Sequence, residues 1–159
     1  MAKMTKRISQ ALETIKDVLE KAELTPVPLE EELGFEAHFG DDGPEVRARA
    51  RVWKEEKFVF YLEFAKRAQK KTIRSTSEFI TRANWGLITG NFELDCDTGT
   101  TRFKSSVDFS GVDLTSHLVR NIVLSGIFCL ETYAAALMAV MDGSKSPADA
   151  ISQAEASSD

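Results

Sequence analysis

The residues able to do chemistry are few and scattered. His38, His117, Cys96 and Cys129 are the natural metal ligands, and they lie far apart with none of the short spacings that zinc sites use. No metal site is expected from them. Ser116, His117 and Asp113 contain the residue types of a nucleophilic triad, but close neighbours at a helix start point in different directions, so His117 reads as an exposed first-turn residue. The chain carries neither G-x-x-x-x-G-K-[ST] nor G-x-G-x-x-G, and Gly86 and Gly90 flank a helix end, where glycine serves backbone geometry. No catalytic residue and no cofactor is indicated, and the expectation is a protein that is not an enzyme.

Positive charge offers two further possibilities. Arg47, Arg49 and Arg51 alternate along one strand face at a repeat of ~6.6–6.8 Å, close to phosphate spacing. The plainer reading is a solvated outer face with Tyr61 and Glu63 as partners. Lys66, Arg67, Lys70, Lys71 and Arg74 form the strongest basic run, suited to an acidic polypeptide, a phosphate-bearing ligand or nucleic acid. Aromatic residues are missing from it, which weakens a platform for stacking single-stranded bases, and a solvated loop is again the plainer reading. A net charge of −5 opposes nucleic acid and anionic membrane surfaces except at such a local patch.

The elements that would position these residues follow from periodicity. At 159 residues the chain reads as one domain, 1–159, with a short C-terminal helix and tail over 146–159. Ile8, Leu12, Ile15, Leu19 and Ala22 recur at helical spacing, and Pro26 closes that first helix. FEAHF reads as a strand, Asp41-Asp42-Gly43-Pro44 as a turn, and VRARARVW and KFVFYLEF as paired strands. Their alternation sets Val52 opposite Phe58, Ala50 opposite Phe60, Ala48 opposite Leu62 and Val46 opposite Phe64, with Arg49 beside Tyr61 and Arg47 beside Glu63. Ser75-Thr76-Ser77-Glu78 has the pattern of a capping box, so a helix is expected to start there, with Phe79, Ile80, Ala83 and Leu87 on its apolar side. NFELDC and TRFKSSVDF form a hairpin around Asp97-Thr98-Gly99-Thr100, pairing Asp95 with Arg102 and Glu93 with Lys104, with Phe92, Leu94, Phe103, Val107 and Phe109 on its inner face. Thr115 caps a long helix; Ser146 caps the last one, with Pro147 at its first position. The order is αβββαββα plus a tail.

The N-terminal residues intersperse charges among apolar side chains, unlike a secretion signal, so a cytoplasmic location is expected. Cys96, in a strand context, and Cys129, in a helix, are then expected as thiols and not a disulfide.

The succession EFITRANWGL, GNFELD, RFKSSVDFSGVDLT, an apolar helix and GSKSPADAI resembles the YbjN family of proposed bacterial sensory transduction regulators, over roughly residues 33 to 155. The resemblance implies a fold similar to type III secretion chaperones: a curved antiparallel five-stranded sheet packed by helices in an α+β domain, commonly dimeric and binding other proteins. It supplies no catalytic residue. The approach KRAQKKTIRST is more basic and less proline-rich than the family pattern, and the last long helix departs from it in having Gly126 and Cys129 in mid-span.

That helix, NIVLSGIFCLETYAAALMAVM, has Glu131 as its only charge. It has the length of a membrane span, but Glu131 would sit at the centre, where an acid costs about 2.5–3.5 kcal/mol, and the preceding hairpin needs a helix to cover it. Leu118, Val119, Ile122, Val123, Leu130, Tyr133, Leu137, Val140 and Met141 make a broad core face. Leu124, Ile127, Phe128 and Met138, interspersed with Glu131, Ala135 and Ala139, form a second strip that either the first helix or a second subunit must cover. The preferred reading is a homodimer through this strip. The function expected is a regulatory or chaperone-like module that binds a partner polypeptide by apolar and strand-edge recognition; the alternative is an anion- or nucleic-acid-binding regulator using Lys66–Arg74 with the three arginines.

Overall fold

The computed structural model of the chain describes residues 5–39 and 45–156, so the turn expected at Asp41-Asp42-Gly43-Pro44 lies outside it. Helix α1 (Lys6–Lys21) starts at Thr5, whose hydroxyl accepts from the Ile8 amide, and buries Ile8, Ala11, Ile15, Val18 and Leu19. The Arg7 guanidinium donates to the carbonyls of Phe109 and Val112 and stacks 5.2 Å from the Phe109 ring centroid, fastening the helix start to a distant loop.

Strands β1 (Val27–Pro28), β2 (Gly34–Phe39), β3 (Val46–Trp53), β4 (Lys57–Phe64), β5 (Asn91–Leu94) and β6 (Thr101–Asp108) form one antiparallel sheet in the order β1-β2-β3-β4-β6-β5. The class is α+β as expected, but the sheet has six strands, not five. The added strand is two exposed residues, too short to show any periodicity.

The β3–β4 register is the one the alternation requires: Val46 pairs with Phe64, Ala48 with Leu62, Ala50 with Phe60 and Val52 with Phe58. All eight are buried, small residues against large ones, under the helices. The β5–β6 register differs from expectation by two residues. Glu93 faces Arg102 and Phe92 faces Phe103, their rings edge to face at 5.4 Å. Asp95 leaves the strand to build the turn, accepting from the Asp97 amide at 2.9 Å and the Thr98 hydroxyl at 2.8 Å, and Cys96 therefore lies in the turn and not in a strand. Gly99, with φ 74, closes that turn against the Ala68 carbonyl, which a Cβ would meet at 2.1 Å.

Helix α2 (Ile73–Gly86) begins two residues before Ser75. The Gln69–Thr72 turn, with the Thr72 amide donating to the Gln69 carbonyl at 2.8 Å, carries the chain into the helix early. Ser75 donates to the Thr72 carbonyl and Glu78 pairs forward with Arg82 at 2.8 Å, so the capping box does not form. Helix α3 (Ser116–Met141) is capped as expected by Thr115, whose hydroxyl accepts from the Leu118 amide. Helix α4 (Pro147–Ala156) is capped by Ser146, which accepts from the Asp149 amide at 3.2 Å.

The helices lie on the inner face. α3 crosses β4 and β6, α1 packs on β2, β3 and α3, and α2 joins β5 to α3 and α4. Long and apolar enough for a membrane span by length and composition, α3 is nonetheless a packed element of this domain. Gly126 permits its close approach: a Cβ there would come within 3.0 Å of Phe60 and 3.1 Å of Leu62.

Candidate partner-binding surface

Helical periodicity divides α3 into two faces. Val119, Ile122, Val123, Tyr133, Leu137, Val140 and Met141 are buried, joined by Gly126, Cys129 and Ala134, while Leu118 and Leu130 are partly buried. Away from this face, Phe128 is 58% exposed and Leu124 42%. Ile127 and Met138 are partly buried, and Glu131 and Ala135 are exposed. Leu124, Phe128, Glu131, Ala135 and Met138 follow one another at steps of four, three, four and three residues, the spacing of a helix-packing seam. Helix α1 contacts α3 but leaves Leu124 and Phe128 substantially exposed.

Beside the seam, α3 and α4 enclose a groove of about 470 Å³. Ala135, Ala139, Ala150 and Ala154 keep it open, with Phe128 and Glu131 on one wall and Lys145 on another. Lys145 donates to Gln153. The groove has a firm back. The Tyr133 hydroxyl donates to Glu155 at 3.3 Å, its ring meets Phe79 and Phe92 edge to face, and burial together with the Glu155 charge raises its pKa.

The arginines expected on the outer face are there, already partnered. Arg49 bonds Glu36 at 3.0 Å, Arg47 lies 3.8 Å from the same carboxylate, and Arg51 pairs with Glu32 at 2.6 Å. Glu93 pairs with both Arg102 and Lys104; desolvation raises its pKa, but the hydrogen bonds from these two cations outweigh that and hold it below the ordinary value. Hydrogen bonds from the Ser110 hydroxyl and amide, with Lys57 at 3.0 Å, bring Asp108 down to about 2. Lys66 pairs with Asp142, whereas Arg67, Lys70, Lys71 and Arg74 are exposed. The structure thus divides the basic residues between the sheet's outer face and the segment that leads into the first turn of α2.

His38 and His117 are exposed, Cys96 is an exposed free thiol and Cys129 a buried one; no metal-ligand cluster occurs among the described residues. One position of the β5 edge is filled by a side chain. The Asn84 side chain accepts from the Phe92 amide at 2.8 Å and donates to its carbonyl at 3.1 Å, doing for β5 what a neighbouring strand would do. At the opposite edge, Pro28 lacks an amide to offer. Sequence reasoning missed Trp85, in the last turn of α2, and Ile88, in the link to β5, both almost fully exposed. Their place on either side of Gly86, at the helix end, was the available signal.

These features define an α+β domain with helices over one face of an antiparallel sheet and an uncovered seam on the longest helix. Among solved structures it is similar to that of YbjN, a candidate transcription regulator from E. coli, with a TM-score of 0.56 and 12% sequence identity over 82% of this chain and 89% of that one. The fold is YbjN-like, as the sequence resemblance implied. No protein-family model and no curated protein matches the sequence.

Proposed function

We propose that the chain is a non-enzymatic, cytoplasmic regulatory or chaperone-like module that acts as a homodimer and binds a partner polypeptide. The observation that carries this reading is the exposure of Phe128 and Leu124 in one seam beside an alanine-lined groove. Under two-fold symmetry, the Phe128 ring of one copy enters the groove of the other, and Glu131 finds Lys145 across the interface. The neighbouring fold of a candidate regulator supports the regulatory part. The bonds from Asn84 to Phe92 and the missing amide of Pro28 weigh against strand addition and support recognition through apolar helix surfaces. Light scattering tests the dimer: the Phe128→Arg variant is expected to be a folded monomer, and a variant that keeps twice the chain mass removes the seam from the interface.

The exposure of Lys70, Lys71 and Arg74 favours a second reading, binding of an anionic polymer by this segment. Its expected signature is oligonucleotide affinity that falls steeply with salt and is lost in Lys70→Glu/Lys71→Glu. Equal affinity in the double variant would end that reading.

A further inference from the structure

A second cleft, of about 390 Å³, lies between the last turn of α1 and the first turns of α3. Val18, Ala22, Val123 and Leu124 provide apolar lining, and Lys21, His117 and Arg120 bring basic groups to the same space. The volume falls within the range of small-molecule sites.

Its cations differ from those on the sheet's outer face. The sheet's outer arginines each sit against Glu32, Glu36 or Glu93. Lys21 and Arg120, in contrast, make no ion pair with any described residue, although the chain carries a net charge of −5. Asp17 and Asp113 are near in sequence, yet neither pairs with them. Two cations left uncompensated over an apolar lining attract a ligand that combines a negative head with an apolar body. The α3 N-terminus adds to the same positive field.

We infer that this cleft binds a small amphiphilic organic anion, with a carboxylate or phosphate head held by Lys21 and Arg120, His117 alongside, and a short aliphatic or aromatic body lying on Val18, Ala22 and Leu124. A concave site this small suits such a molecule better than a polypeptide helix. The inference does not depend on self-association, although Leu124 belongs to both the cleft and the seam.

Decanoate and decyl phosphate, below their micellar concentrations, would probe the site, with decanol and decyltrimethylammonium as controls. Saturable binding of at least one anion is expected, with amide shifts confined to residues 18–22 and 116–124 and no equivalent effect of the controls. The anion that binds more tightly identifies the head. Arg120→Glu should weaken binding at least tenfold, and Ala22→Trp should block it while preserving the far-ultraviolet spectrum. The inference is overturned if neither anion saturates, if decanol binds equally well, if both cleft variants retain affinity, or if only an acidic peptide produces the shifts.

Discussion

The two thiols of this chain live in opposite environments. Cys96 sits exposed in the β5–β6 turn, whereas Cys129 lies on the core face of α3, where burial pushes it up to about 11. Thiolate is the reactive form, so the two should separate cleanly with an alkylating reagent. Iodoacetamide at neutral pH should modify Cys96 in the folded protein and Cys129 only in denaturant, as read by peptide mass spectrometry. Comparable native rates would mean that the α3 core face opens readily. At this scale the sequence was legible where chemistry differs between the two sides of a strand. A one-residue slip in β3–β4 would drive Arg47 and Arg49 inward, so that register could be read outright. A two-residue slip in β5–β6 preserves the alternation, and the choice passed to Asp95, whose hydrogen bonds to Asp97 and Thr98 move the turn one position earlier.

Elements were legible when they were long. The 3.6-residue period of α3 separated its core face from its outer seam, and Thr115 and Ser146 announced two helix starts. The Ser75 box was misleading because the Gln69–Thr72 turn, which begins the helix early, depends on hydrogen bonds between residues of no distinctive pattern. Gly126, in mid-helix, is a point of close approach to the sheet. Gly126→Leu should therefore destabilise the fold by about 1–3 kcal/mol, the usual cost of overpacking, through a lowered midpoint in urea. An unchanged midpoint would place α3 farther from Phe60 and Leu62 than described. Asn84 escaped notice for a different reason: its role exists only because α2 returns beside β5.

The molecule as a whole keeps a surplus of apolar surface on α3. Burying a large aliphatic or aromatic side chain is worth about 1.5–3 kcal/mol, so covering the exposed parts of Phe128 and Leu124 would contribute to the proposed association. Phe128→Arg should weaken the dimer by ~100-fold or more, equivalent to about 2.8 kcal/mol. The parent's melting temperature should accordingly rise with protein concentration while the variant's stays level. A parent insensitive to dilution across the micromolar range, with the mass of one chain, would remove the dimer. The candidate surface was legible as an excess of apolar residues. The anion cleft was not, since it joins the end of α1 to the start of α3, roughly a hundred residues apart.

The amide of Asn84 has a consequence for behaviour in crowded solution. An unguarded outer β strand lets molecules stack laterally without limit, the route by which many folded domains begin to form fibrils. By imitating the absent neighbour at Phe92, a single carboxamide makes this edge of the sheet a poorer template for lateral pairing.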